Sequence, residues 1–406
     1  MKLNTILFKQ HIGWHFKNYW RIQGKRIPRD TGALQALAAK GIPVYKPEDI
    51  FAKEEIPQLE EVPDYIPKPT VFDKTHPNWH ERICYTYKDN NVLLEGLDQA
   101  KIITNTVELH DGLPSQIKLE KAPTKLDKII RKIILNSHIL DAEQVKLPKR
   151  KDPERPAWNF PRDYGVCESR VMKLLISKLI QAIESCDYQN IAKQRHLIHD
   201  LHFWYPFEKD GDLIQLQLRG DSLLTSSKPL SPIIHEPTLN FELPNIEPIK
   251  LTNTLNKENI YNLQNVYPIE NFISKRHPHT VFVHFNYQEV KNIYEEEVTE
   301  PQFFGRSLMK AFTVAATYAK QTFGDEVKKL PNPVNVQCIQ TDGRIFHFGI
   351  LQLNTLDTEE NSIRNVWHQT PRMPLFDSCT YHSGKPILEG YNNEVISHLM
   401  AFYKNS

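Results

Sequence analysis

The sequence predicts an α+β fold, with a mixed, mostly antiparallel sheet, flanking helices and an extended N-terminal arm. Two amphipathic helical segments come first, and strand-like runs, a long helix and a hairpin follow them. Before them lies a proline-rich stretch with no period of 3.6 or 2. The chain has 406 residues, 40% apolar and 24% charged. No run approaches the ~20 apolar residues of a membrane span, so we expect a globular body without a membrane partner.

Three regions are predicted along the chain, at residues 1–29, 30–79 and 80–406. The first holds seven basic residues and no acidic one, which predicts a mitochondrial presequence in its first part, with a disordered basic tail as the alternative. The second is rich in proline and should form an extended arm, because proline removes backbone donors and disfavours helix before it. The third is the α+β body, interrupted by a basic, proline-rich excursion at 146–162.

The run TDGRIFHFGILQLNT at 341–355 predicts a central hairpin. Asp342-Gly343 favours a two-residue type I′ turn, because glycine accepts the positive φ that this turn needs. Polar and apolar residues alternate from 334 to 338, as expected for the preceding strand. After the turn, aliphatic residues and His347 share one face and aromatic residues occupy the other. Both faces of that strand should be covered, so His347 is predicted to pack in the core.

Helices are predicted at 124–140, 168–186, about 189–200 and 304–323, where apolar residues recur at helical spacing. Thr124 precedes Asp127 by three residues, close to a capping box, and Ile129 belongs to the apolar stripe of that helix. Gly324 is placed for an αL cap. Further strands are expected at 212–221 and 279–285, together with a hairpin over 83–96 whose turn is at 89–91.

No catalytic signature is present. G-x-S-x-G, G-x-x-x-x-G-K-[ST] and G-x-G-x-x-G are all missing, and the five cysteines form no C-x-x-C pair. His196, His199 and His202 have the i, i+3 spacing of one helix face, which suits either a metal site or an exposed polar face. We predict no catalytic residue, no metal site and no cofactor.

Two basic zones remain as candidate RNA-binding segments, at 14–29 and 146–162. The first mixes aromatic side chains with cations, which can stack on bases and neutralise phosphates. The second combines cations with prolines, so it cannot form a core of its own and would order on contact with an anionic polymer, the alternative being a solvated loop. The candidate RNA-binding residues are Trp14, Trp20, Arg21, Lys25, Arg26, Arg29, Lys149, Arg150, Lys151, Arg155 and Arg162.

Four segments together resemble one known family. They are VLLEGLDQAKIITNTVELHDGLP at 92–114, LIQLQLRGDSLLTSSKPLSPI at 213–233, RHPHTVFV at 276–283 and LPNPVNVQCIQTDGRIFHFGILQLNT at 330–355. In this order they look like the mitoribosomal protein family that includes the programmed-cell-death-nine-like protein and its paralogue. The resemblance extends from about residue 80 to near residue 357.

The resemblance implies a structural, non-catalytic constituent of the large subunit of the mitochondrial ribosome, located in the matrix and supporting mitochondrial translation. It implies binding to large-subunit rRNA and to neighbouring mitoribosomal proteins, including the paralogous family member as heterodimer partner. The formal net charge of +1 departs from the basic character of core ribosomal proteins and suggests a peripheral, largely protein-bonded position. The alternatives are a matrix metalloenzyme that uses the histidine-rich helix and an RNA-independent scaffold.

Overall fold

The computed structural model describes residues 30–46, 72–109, 112–140, 145–146, 154–155, 157, 164–186, 189–234, 242–292, 294, 296–359, 362–382 and 385–406. The chain divides into two compact units, residues 1–70 and 71–406. In the first unit, the described residues form helix α1, Ala33–Ala39. The predicted arm therefore includes one short helix, while its residues 47–71 lie outside the described part.

The described residues of the second unit form six helices and fourteen strands. The helices are α2 Leu97–Thr104, α3 Thr124–His138, α4 Glu168–Glu184, α5 Gln189–Ala192, α6 Glu300–Phe323 and α7 Asn393–Lys404. The strands are β1 Trp79–Lys88, β2 Thr106–Leu109, β3 Val145–Lys146, β4 Tyr164–Gly165, β5 Arg195–Lys209, β6 Asp212–Ser226, β7 Asn256–Ile260, β8 His277–His284, β9 Lys329–Thr341, β10 Ile345–Thr355, β11 Asn365–Gln369, β12 Met373–Pro374, β13 Ser378–His382 and β14 Lys385–Glu389.

Ten strands form one mixed sheet in the order β2-β11-β10-β9-β8-β6-β1-β7, with β5 paired to β6 and β12 to β10. Three neighbouring pairs are parallel, namely β1 with β6, β8 with β9 and β2 with β11. The other six are antiparallel. The predicted α+β fold with a mostly antiparallel sheet is confirmed.

Helices cover both faces of this sheet. α2 and α6 share one hydrophobic core with Leu351 and Leu353 of β10. α3, α4 and α7 share a second core with Phe346 and Phe348 of the same strand. The alternation predicted for this strand is confirmed, and it follows from the two-residue period of a strand that lies between two helical layers.

The hairpin between β9 and β10 is confirmed, but the predicted two-residue turn is wrong. Three residues separate the two strands, and of the central pair only Gly343 has a positive φ, of 93°. The Asp342 carboxylate accepts the backbone N–H groups of Arg344 at 2.8 Å and Ile345 at 2.6 Å. These two hydrogen bonds to the Asp342 side chain stabilise the turn, so Asp342 does not adopt the positive φ that a type I′ turn would need.

The predicted details of two helix ends are also wrong. The N-cap of α3 is Pro123, and Thr124 already lies inside the helix without a side-chain cap. Ile129 is 44% exposed. It belongs to the apolar pattern of the sequence, but the side of α3 that contacts the core is narrower than this pattern. Gly324 ends α6 with φ 102° and ψ 159°, outside the αL region.

The hairpin predicted over 83–96 does not form. β1 ends at Lys88 and pairs with β6 and β7, and the chain then continues into α2. The carboxylate of Asp89 explains this course, since it accepts the backbone N–H of Arg219 at 3.0 Å and forms an ion pair with Lys310 of α6. These contacts hold the segment against α6 and β6 rather than returning it beside β1.

Candidate RNA- and protein-binding surfaces

Most of the predicted RNA-binding residues lie outside the described part of the chain. This applies to the six candidates before Asp30 and to four of the five in the excursion, namely Lys149, Arg150, Lys151 and Arg162. Arg155 is described and is exposed to solvent. The assignment of these residues to RNA contacts stays a prediction.

A short ribbon holds the two ends of the excursion together. Val145 pairs with Gly165, and Lys146 pairs with Tyr164, in an antiparallel arrangement. Opposite residues of such a pair have Cα atoms only ~4.5–5.5 Å apart. The two ends of the stretch 147–163 therefore lie next to each other, and the sequence of this stretch carries five basic and three acidic side chains.

An open groove of about 1130 Å³ lies beside this ribbon. Its walls come from Lys146, the first turns of α4, the middle of β6 and the end of β8. The charges in it are balanced, because it is lined by four basic side chains, Lys146, Arg170, Lys173 and Arg219, and by four acidic ones, Glu168, Asp200, Asp221 and Glu289.

Ion pairs organise the charged wall of the groove. Asp200 accepts from Arg219 at 2.5 Å and from Lys173 at 3.3 Å. The hydrogen bond from Arg219 is the main reason that the pKa of Asp200 lies below its usual range, and Lys173 adds to this effect. All three side chains are about half exposed, so each pair contributes little to stability. This wall is suited to polar contact with a partner rather than to concentrated binding of phosphate.

The ion pair between the buried Lys310 and the partly exposed Asp89 is structural. Lys310 on α6 is 2% exposed, and its ammonium group bonds to Asp89 and, at 2.6 Å, to the carbonyl of Arg219. Burial lowers the pKa of Lys310, and the Asp89 carboxylate opposes this shift. This pair could not be predicted from the sequence, because the two residues are separated by 221 positions.

The histidine-rich segment is a strand, so the predicted helix near 189–200 is wrong beyond Ala192. β5 pairs along its length with β6. His196 and His202 are separated by about 20 Å of extended strand, and His199 bonds through Nδ1 to the hydroxyl of Ser222 at 2.7 Å. Among the described residues, no three His, Cys, Asp or Glu side chains are placed to hold a metal ion. The alternative of a metal site on a histidine-rich helix loses its geometric basis.

His347 is a core residue, as predicted. It is fully buried, its Nδ1 lies 3.0 Å from the hydroxyl oxygen of Ser307, and its ring stacks on Phe304 at 4.6 Å. Burial lowers the pKa of His347 to about 3 despite the opposing effect of Gln369. A neutral, enclosed imidazole of this kind has no access to solvent or substrate.

Comparisons with known proteins find similarity to mitochondrial ribosomal proteins. A family model described as mitochondrial 28S ribosomal protein S30 (PDCD9) matches residues 287–406. The protein named large ribosomal subunit protein mL37 in Rattus norvegicus is 26% identical over 306 residues, covering 73% of this chain and 67% of the relative. The mL37 protein of Gallus gallus is 26% identical over 318 residues, covering 75% and 68%.

The chain is similar to the mL37 ribosomal proteins. The predicted resemblance to the programmed-cell-death-nine-like mitoribosomal family is thereby confirmed. The family match also reaches residue 406, well beyond residue 357, and so includes the strands β11 to β14 and helix α7. The chain spans about two thirds of the length of these mL37 relatives.

Helices long and apolar enough to cross a membrane are absent from the described part of this chain. The charge-balanced groove and the ribbon at the two ends of the excursion are candidate surfaces for partners.

Proposed function

We propose that this protein is an architectural component of the large subunit of the mitochondrial ribosome, binding rRNA and neighbouring ribosomal proteins in support of mitochondrial translation. The observation that carries the proposal is the similarity to mL37 proteins across nearly three quarters of the chain. The body adds support, since its buried ionisable side chains are tied into contacts between elements, as Lys310 and His347 illustrate.

The proposed role requires no chemistry from the chain. The interior residues that could act as nucleophile or base are enclosed, and burial raises the pKa of the Cys338 thiol to about 12. A thiol in that state is a poor nucleophile. We therefore assign the protein a structural, non-enzymatic role.

We assign a partner to each segment or surface according to its charge. The segments 1–29 and 147–163 contain the predicted RNA contacts, while the balanced groove suits neighbouring proteins, among them the paralogous family member as a heterodimer partner. The basic, acid-free segment 1–29 supports import into the mitochondrial matrix.

Sedimentation of a mitochondrial lysate on a sucrose gradient tests this function. The chain should co-migrate with the large subunit, also after the large and small subunits are separated by lowering the magnesium concentration. Recovery only in the free-protein fractions would overturn the proposal. Co-migration that survives complete digestion of accessible rRNA would favour the RNA-independent scaffold.

A further inference from the structure

The outward face of α3 carries a row of lysines. Lys125, Lys128 and Lys132 are all exposed and follow one another at i, i+3 and i+7. At 1.5 Å per residue and 3.6 residues per turn, they form a narrow stripe about 10 Å long on one side of the helix. Lys121, also exposed, lies just before the helix begins.

The acidic side chains of this segment do not neutralise the stripe. Glu120 forms an ion pair with Lys404 of α7. Asp127 accepts hydrogen bonds from the Tyr391 hydroxyl at 3.0 Å and from Asn393 at 3.4 Å. Both carboxylates therefore face the body.

The cations themselves have no anionic partner in the part of the chain that the structure describes. No ion pair involves any of the four lysines Lys121, Lys125, Lys128 and Lys132. Arg131, which lies beside the stripe, places its guanidinium 4.3 Å from the ring centroid of Tyr391.

This arrangement is unfavourable for the isolated chain. Like charges three or four residues apart destabilise a helix by about 0.2–0.5 kcal/mol per pair, and a cation in the first turn opposes the helix dipole. The stripe is also unusual for the molecule, because residues 30–406 contain 43 of the 50 basic and all 49 acidic side chains, a formal charge of −6. A polyanion placed against α3 would turn this local repulsion into binding free energy.

We infer that the outward face of α3 binds the phosphate backbone of rRNA, an inference that rests on the proposed ribosomal function. Lysine supplies flexible point charges that suit phosphates without reading base sequence. A protein partner would instead need an apolar centre in its contact surface. The stripe offers a single large apolar side chain, Ile129, which is 44% exposed.

A matched pair of charge-reversal variants of the full chain tests the inference. One carries Lys125→Glu, Lys128→Glu and Lys132→Glu. The control, Lys193→Glu, Lys250→Glu and Lys329→Glu, makes the same change in net charge at exposed positions that are far apart in the sequence. Both variants should retain the wild-type circular dichroism spectrum and melting temperature to within a few degrees.

The readout is the affinity for protein-free mitochondrial large-subunit rRNA as a function of salt concentration. Each lost phosphate contact reduces the magnitude of the negative slope of log K against log salt by about 0.7–0.9. For the stripe variant this magnitude should therefore fall by about two units, and for the control it should hardly change. Equal slopes for the two variants would overturn the inference.

Crosslinking in intact particles separates this inference from the function on which it rests. Ultraviolet irradiation of purified large subunits should attach nucleotides to the α3 peptide. A chain that co-migrates with the large subunit but whose α3 crosslinks only to protein, or to nothing, would overturn the inference and leave the proposed function intact. Failure to co-migrate at all would instead remove the proposed function.

Discussion

Buried polar residues connect the layers of this body through hydrogen bonds within the chain. His279 lies 2.8 Å from the Thr280 hydroxyl oxygen and 2.9 Å from the carbonyl oxygen of Asn405, which joins the sheet to the C-terminal end of α7. Gln337 donates to the carbonyl oxygen of Phe402 at 3.0 Å. An unmade buried hydrogen bond costs about 1–3 kcal/mol, so these pairs fix how α7 lies on the sheet.

The buried histidines should make stability fall in mild acid. Because the pKa of His347 is about 3 in the folded chain and ~6.5 when unfolded, the unfolded state binds the extra proton between these values. This stability is fully present above pH ~6.5 and declines below it. At pH 5 the loss due to one such group is about 2 kcal/mol. His347→Gln should remove that part of the decline, as measured by urea denaturation at pH 7.5 and pH 5.

His202→Gln is the matched control, since it removes an imidazole that is exposed on β5. His347→Gln should show the smaller difference in unfolding free energy between the two pH values. Some decline should persist in it, because the pKa of buried His279 is also lowered to about 3. The same pH dependence in the wild type and in His347→Gln would contradict the explanation.

At the scale of elements, the sequence predicts those that obey one simple period. β10 obeys the period of 2 over its whole length and was predicted correctly. β5 does not, because Asp200 has a φ of 57° and is skipped in the ladder with β6. Leu197 packs on the second core, whereas Leu201, four residues later, packs on the first. The resulting pattern resembles helical spacing, and only the pairing with β6 reveals a strand.

Close approach of backbones is a second property that periodicity cannot show. A Cβ atom at Gly305 of α6 would lie 2.6 Å from the carbonyl carbon and oxygen of Gly96, which precedes α2. Glycine at this position lets α6 touch the start of α2 directly. The sequence shows only a glycine inside a helical pattern, a position that is usually unfavourable.

Gly305→Ala should therefore destabilise the protein although alanine is the better helix former. Helix propensity alone would favour alanine by ~1 kcal/mol, whereas overpacking typically costs 1–3 kcal/mol, and the contact here is with rigid backbone. We expect a net loss of roughly 1–2 kcal/mol in urea denaturation. Comparing Gln181→Gly with Gln181→Ala, at an exposed position of α4, measures the propensity difference by itself. A gain in stability for Gly305→Ala would show that α2 and α6 are not in direct contact.

At the scale of the whole molecule, the basic N-terminal segment differs in net charge from the rest of the chain. The arm and the body together, residues 30–406, have a formal charge of −6, and the groove balances acidic against basic side chains. The sequence reveals the basic composition of 1–29 and 146–162, but it cannot reveal that the ends of the excursion pair with each other, because Lys146 and Tyr164 carry no hairpin signal. The lysine stripe on α3 was visible as the polar face of a helix, and its lack of anionic partners required the structure.

The ribbon makes the excursion separable from the body. Since Lys146 and Tyr164 are paired, residues 147–163 can be replaced by Asn-Gly, the preferred two-residue connection of an antiparallel pair. The shortened chain should unfold at nearly the wild-type urea concentration, because all the side chains that the structure describes in the two cores are kept. Its affinity for large-subunit rRNA should fall, and the magnitude of the salt slope should decrease by up to about 3.5–4.5 units for five lost cations. A second variant keeps the wild-type length but has a Gly/Ser segment at 147–163. It distinguishes the effect of losing the charges from the effect of shortening the connection. Both variants should behave alike, and a wild-type salt slope in either would show that the excursion does not bind RNA.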